Sequence, residues 1–390
     1  MSGERQRIAV FTATRAEYGL LHPVLSRLRR SARLEPLLIV CGAHLSPDHG
    51  RTVTEIESDG QPIAIRIPTL EPGDDDRAVA LTMARTLSAM ADALARLAPD
   101  AVMLLGDRTE LLAAAAAATA LRVPIIHLEG GHLTEGAIDD SIRHAITKLS
   151  AVHFTAAEPY RARIIQMGED PARVFAVGST GVDNLIAEGR RSRAELAAEL
   201  GLDLEPGFLL ATFHPETLSD VPPQQQMDAL IAGVGRFPAL KVLITLPNAD
   251  AGNQAIRRAI ADWAAAEPRR VFPVESLGRR RYAWALSACE AVIGNSSSGL
   301  IEAPAYGVAT VNIGARQDGR LRGPSILDVP AEAGAIANAL GRALDPEFRS
   351  RLAGEPGVMG DGHAAERLVD VLERLDFEAL RRKRFHDLAD

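Results

Sequence analysis

Short apolar runs alternate with longer stretches of helical period along most of the chain. In the first half, "RIAVFTA", "LEPLLIVCGA", "DAVMLLG", "PIIHLE" and "AVHFTAA" read as strands. They are nearly continuous in apolar residues rather than alternating, which predicts strands of a parallel sheet covered on both faces. Between them, "LLHPVLSRLRR", "RAVALTMARTLSAMADALARL", "LLAAAAAATAL" and residues 138–149 carry helical spacing. In the last of these, Ile138, Ile142, Ile146 and Leu149 are expected to form the core face.

The alternation pauses at "AEGRRSRAELAAELGLDLEPG", a charged helical stretch that ends in Pro-Gly and reads as a connection. It restarts with "FLLATFH", "LKVLITL", "RRVFPV", "EAVIGN" and "VATVNIG" as strands and closes on two helical stretches. The pattern predicts an α/β protein of two Rossmann-like, doubly wound domains facing a cleft. Residues 1–187 form the first domain, 188–206 the connection, and 207–390 the second domain with the C-terminal helices. Ligands of such sheets bind beyond the carboxyl ends of the strands.

Composition narrows the function classes. A chain of 390 residues, 47% hydrophobic, can bury a large core and suits two or three domains. A net charge of −8 argues against a sequence-independent grip on nucleic acid. Cys41 and Cys289 lie in apolar contexts and are expected to be buried free thiols of a reducing compartment. The start of the chain, "MSGERQRIAVF", has no signal-peptide run, and the alanine-rich run is too short to span a bilayer. A cytoplasmic protein without a nucleic-acid or membrane partner is expected.

No G-x-G-x-x-G follows the first strand, and no P-loop occurs, so a tightly held dinucleotide or an NTPase is disfavoured. Candidate chemistry sits just past the strands: Arg15; Asp107 and Arg108; Glu129; His214; Ser296, Ser297 and Ser298; Arg316. The turn "GNSSSG" before a helix offers N–H groups and hydroxyls that suit a diphosphate, with Glu302 one turn on for ribose hydroxyls. An ordinary serine N-cap with a solvated glutamate fits the same residues equally well.

The segment "HLEGGHLTEGAIDDSIRHAITKLS" gathers three histidines and four carboxylates. Asp140, His144 and Lys148 read as a solvated face of i,i+4 ion pairs, and Asp139 and Arg143 have the same spacing. Asp139 stands apart because it opens the helix, nearest Glu129. The spacing of His127, Glu129 and His132 fits no familiar zinc pattern, so no metal is expected.

Taken together, "TRAEYG", "GAHLSP", "GDRTE", "EGAIDDSIRHAITKLS", "GEDPARVFAVGSTGVDN", "FHPET", "LPNADAG", "GNSSSGLIEA" and "NIGARQDGR" resemble the UDP-N-acetylglucosamine 2-epimerase family over nearly the whole chain. "HPET" in place of an arginine-rich stretch favours its hydrolysing branch, which serves sialic- and legionaminic-type acid biosynthesis. The resemblance implies the glycosyltransferase-B type of fold, a nucleotide-sugar substrate, no cofactor, and a homo-oligomer (dimer or tetramer). It implies elimination of the nucleoside diphosphate to a glycal, then rehydration to the free manno-configured sugar. Matched residue by residue, it implies Asp107, Glu129, Asp139 and His214 as catalytic. Arg15, Arg108, His132, Asn248, Ser296, Ser297, Glu302 and Arg316 are matched to substrate or nucleotide contacts. For Arg108, an ion pair with Glu110 is an equal alternative.

One departure stands out. The family usually reads "EGGE" where this chain reads "EGGH", so His132 replaces an anion three residues after Glu129. That leaves UDP-N-acetylglucosamine and a UDP- or GDP-linked 2,4-diacetamido sugar both open. A non-hydrolysing epimerase and a glycosyltransferase of the same fold are the other readings.

Overall fold

The computed structural model describes residues 5–47, 51–72, 75–133, 138–215, 221–247, 253–352 and 357–388. Two compact units account for them: Met1–Asn184 with His363–Asp390, and Leu185–Gly362.

Unit 1 runs β1 (Gln6–Thr12), α1 (Arg15–Arg30), β2 (Leu34–Cys41), α2 (Val53–Ser58), β3 (Ile63–Ile67), α3 (Asp76–Leu97), β4 (Ala101–Leu105), α4 (Thr109–Ala120), β5 (Ile125–Leu128), α5 (Ile138–Leu149), β6 (Val152–Thr155), α6 (Glu158–Gln166), β7 (Val174–Ala176) and α7 (Thr180–Ala187). Its seven strands pair in the order β3-β2-β1-β4-β5-β6-β7, all parallel. The strand order reverses between β1 and β4. Core clusters cover both sheet faces, one built on α1 and the other on α3, α4 and α5.

Unit 2 runs α8 (Arg193–Leu200), β8 (Phe208–Thr212), α9 (Pro223–Val234), β9 (Lys241–Thr245), α10 (Asn253–Ala266), β10 (Val271–Val274), α11 (Gly278–Ala288), β11 (Ala291–Gly294), α12 (Ser297–Ile301), β12 (Thr310–Ile313), β13 (Ile326–Val329), α13 (Ala333–Ala343) and α14 (Pro346–Leu352). Its six strands pair in the order β10-β9-β8-β11-β12-β13, again parallel, and reverse between β8 and β11.

Three details differ from the expected organisation. The C-terminal helices α15 (Ala364–Leu372) and α16 (Phe377–Leu380) belong to unit 1, not unit 2. Their Ala365, Leu368, Val369, Leu372, Phe377 and Leu380 are buried in the core built on α1. The 188–206 stretch is no free connection, because Leu196 of α8 and Leu204 are buried in the core of unit 2. Ile138 is 71% exposed, so the core face of α5 rests on Ile142 and Ile146.

By length and composition α3 could cross a membrane. Here its Ala78, Met90, Ala93 and Leu94 are buried against unit 1. Cys41 and Cys289 are buried and free, and burial raises their thiols to about 11 and about 12.

Candidate functional site

The candidate residues of unit 1 follow the carboxyl ends of β1, β4 and β5, at and beside the reversal point where open α/β sheets bind ligands. Gly106 N–H donates to Leu128 O (3.0 Å), which sets the loop carrying Asp107 beside the turn carrying Glu129. Glu129 has φ +61, in the left-handed region. A side chain there costs on the order of 1–3 kcal/mol and persists only where surrounding contacts enforce it. The contacts are visible. Glu129 N–H donates to Phe154 O (2.9 Å), and Arg163 Nη1 donates to Gly131 O. A Cβ on Gly131 would stand 2.5 Å from Tyr160 O, so only glycine lets the turn lie this close to α6.

The three histidines of residues 127–150 separate into different environments. His127 points into the core, where Nε2–H donates to Gly106 O (2.9 Å) and Nδ1 accepts from the Thr147 hydroxyl (3.2 Å). Burial lowers its pKa to about 3, so it is a neutral structural imidazole, not a proton carrier. His144 pairs with Asp140 Oδ2 at 3.3 Å, while Lys148 turns away to Glu169 Oε1 at 2.6 Å. His132 is the one that touches a candidate acid. Its Nε2 lies 3.1 Å from Glu129 Oε2, and its ring stacks on Tyr160 with centroids 4.0 Å apart.

Asp139 is half-buried in the first turn of α5, on the same sheet edge. The i,i+4 spacing of Asp139 and Arg143 does not decide where the guanidinium goes. Arg143 is buried and turns to Asp107 and Asp140 instead. Arg108 pairs with two buried acids, Glu17 at 3.7 Å and Glu110 at 3.5 Å, and its own side chain is half-exposed. Glu17 was missed by sequence reasoning. It closes a capping box with Thr14, and burial raises its carboxyl to about 7. Arg15 is exposed and pairs with Glu55 at 3.0 Å.

Unit 2 places its candidates at its own reversal point, at the ends of β8 and β11. Asn295 joins them: its Oδ1 accepts from His214 N (2.7 Å) and its Nδ2 donates to His214 O (2.8 Å). The Asn295 carbonyl also accepts from Arg316 (3.2 Å) and Gln317 (2.7 Å). Gly294 is forced, since a Cβ there would stand 1.9 Å from Thr212 O at φ +132. A cavity of about 490 Å³ opens beside them, lined by His214, Ser296, Ser297, Ser298, Tyr282, Glu302 and Arg316 among others. That volume suits a small-molecule site.

Two expectations change here. α12 is only five residues long, so hydroxyls and local N–H groups, not a helix dipole, are what the serine turn offers. Glu302 ends α12, and desolvation raises its carboxyl to about 7, unlike the solvated glutamate of the alternative reading. Asn248 and Glu135 lie outside the described residues.

The titrations give a prediction for stability. His127 (about 3), His44 (about 4) and His153 are all lowered by burial in unit 1, against one raised carboxyl, Glu17. Below pH 6.5 the unfolded histidines bind protons that the folded ones refuse, so falling pH destabilises unit 1. His127 alone contributes a slope of about 1.4 kcal/mol per pH unit. Glu302 of unit 2 has the opposite sign, because its folded form takes up a proton first. Hydrogen exchange at pH 7 and pH 5, corrected for intrinsic rates, should show protection falling in unit 1 and not in unit 2. Equal loss in both would refute the assignment.

Comparison with known proteins agrees with this architecture. The family description UDP-N-acetylglucosamine 2-epimerase matches residues 26–373. The chain is 33% identical to GDP/UDP-N,N'-diacetylbacillosamine 2-epimerase (hydrolyzing) of Campylobacter jejuni, over 98% of this chain and 100% of that protein. It is 34% identical to polysialic acid biosynthesis protein P7 of Escherichia coli, over 99% and 97% of the two chains. The crystal structure of UDP-GlcNAc 2-epimerase from Neisseria meningitidis bound to UDP-GlcNAc has the same fold, with TM-score 0.77 at 17% identity over 94% of this chain and 99% of that one. By family match and by full-length identity, the chain belongs to the UDP-N-acetylglucosamine 2-epimerase family.

Proposed function

We propose that this chain is a hydrolysing 2-epimerase of a nucleoside-diphosphate-linked 2-acetamido sugar, acting in the biosynthesis of a sialic-type acid. The observation that carries the reading is that Asp107 and Glu129 follow the ends of two paired neighbouring strands, β4 and β5, with Asp139 opening the helix that follows.

The chemistry needs several carboxyls. The C2 hydrogen is not alpha to a carbonyl, so cleavage of the C1–O bond leads and C1 gains positive charge. A carboxylate takes the C2 proton, and the diphosphate departs with the electron pair of the C1–O bond. This leaves a C1–C2 double bond. Water then gives its oxygen to C1 and a proton to a carboxylate, while C2 is reprotonated on the opposite face. Glu129 and Asp139 are assigned to proton transfer at C2 and to water activation. Asp107 stabilises the cation or acts as a base. His214 assists departure of the diphosphate. Ser296, Ser297 and Arg316 are assigned to the diphosphate and Glu302 to the ribose, with Arg15, Arg108 and Asn248 as further substrate contacts.

The substrate is UDP-N-acetylglucosamine or a 2,4-diacetamido relative on UDP or GDP. The name of the Campylobacter relative supports the diacetamido sugar on GDP or UDP, and that of the Escherichia coli relative supports a sialic-type pathway. Incubation with each nucleotide sugar and no acceptor tests the reading. Nucleoside diphosphate and a free manno-configured sugar are expected by NMR, and a strict need for an acceptor would point to a glycosyltransferase instead.

His132 is assigned to tuning substrate choice through Glu129 and Tyr160. His132→Glu sets a second carboxylate against Glu129 and removes an imidazole stacked on Tyr160. The ratio of kcat/KM for the two sugars, or its pH profile, should shift. If neither moves, His132 is a neutral replacement.

A further inference from the structure

We infer that Arg143 is the positioning residue of the acid cluster in unit 1, holding Asp107 and the Glu129 turn in register through one buried guanidinium. Its side chain is 5% exposed. Nε donates to Asp107 Oδ2 at 2.9 Å, and Nη2 donates to the same oxygen. Nη1 donates to the carbonyl of His132 (2.9 Å) and to Asp140 Oδ1 (3.1 Å).

A charge this buried is costly unless paired, and Asp140, on the same helix, is already within reach. The guanidinium goes further. It reaches across the sheet edge to the loop after β4 and to the turn after β5. Both donors toward Asp107 converge on one oxygen, which anchors Oδ2 and leaves Oδ1 without a hydrogen bond among the described residues. The bond to His132 O pins the far end of the turn whose near end is Glu129, in its left-handed conformation. Arg143 thus acts on the reaction only through Asp107 and Glu129. Lysine cannot replace it. An ammonium is a single point charge on a flexible stem and cannot hold Asp107 and the His132 carbonyl from two sides of a rigid plane.

The inference rests on the catalytic roles proposed for Asp107 and Glu129, and the experiment separates the two. Arg143→Lys keeps the charge. Arg143→Ala opens space for added guanidinium. In Arg143→Lys, kcat should fall about 10²-fold, the usual cost of misplaced reacting groups, with KM little changed and the protein folded. Guanidinium, and not methylammonium, should restore part of the kcat of Arg143→Ala. Amide exchange over residues 103–111 and 126–133 should rise in both variants without substrate, and exchange in unit 2 should not.

Near-wild-type kcat in Arg143→Lys, or guanidinium that raises Tm without raising kcat, overturns the inference. A wild-type protein that releases no diphosphate from any of the nucleotide sugars overturns the proposed function instead. The exchange measurement then decides the positioning role alone, and unchanged exchange in both segments overturns it.

Discussion

Asp107→Asn, Glu129→Gln and Asp139→Asn each lower kcat by about 10²–10⁴-fold, the contribution of a positioned acid or base. The amides are nearly isosteric with the acids, so the loss reads proton transfer and charge and not packing. Asp107→Asn keeps an oxygen for Arg143 to bond, and Glu129→Gln keeps the side-chain length that reaches His132. Affinity for the nucleoside diphosphate should stay unchanged, because Ser296, Glu302 and Arg316, which are assigned to it, belong to unit 2. Stopped-flow or coupled assays of diphosphate release measure the first quantity and calorimetry the second. A variant that turns over at the wild-type rate would remove its residue from the catalytic set.

In deuterium oxide, the released manno-configured sugar carries deuterium at C2. The original hydrogen leaves as a proton on a carboxylate. The proton returned to the other face comes from a different group, one that exchanges with solvent before it acts. Incorporation should approach one atom per product molecule, visible as loss of the C2 proton signal. Retention of the substrate hydrogen would exclude elimination and leave plain hydrolysis or transfer. The same experiment on Glu129→Gln and Asp139→Asn, where residual turnover permits, separates the proton-removing acid from the one that activates water. Exchange into unreacted substrate would survive only in a variant that retains the removing base.

The sequence displays the centre of each sheet plainly and its edges poorly. β1, β4, β5, β8 and β11 are buried on both faces and read as apolar runs. Of the four edge strands only β10 is read, as "RRVFPV"; β3, β7 and β13 are not, being short and, in β3 and β13, interrupted by Arg66 and Asp328. Asp107, Glu129 and His214 were legible for the same reason that the central strands were, since each follows one directly. Arg143 was not. Helical spacing pairs it with Asp139, and only the fold brings a loop 36 residues earlier within reach. His127 misled in the other direction. The sequence groups it with Glu129 and His132 in one acid-rich segment, but its partners are a backbone carbonyl and a threonine hydroxyl in the core.

The return of the last helices to unit 1 also bears on how the chain is made. The Asp183 carboxylate accepts from the N–H groups of Ala364 (2.9 Å) and Ala365 (2.7 Å), residues more than 180 positions later. Chains emerge from the ribosome amino end first, and domains ordinarily complete in that order. Here the order inverts. Residues 185–362 are contiguous and can close their core as soon as they emerge. Unit 1 must wait, with the surface meant for Leu368, Leu372 and Phe377 uncovered, until residues 363–380 are synthesised. For that interval the nascent protein carries a finished second unit behind an unfinished first one. The exposed apolar face of α1 is then the place where a chaperone would be needed most.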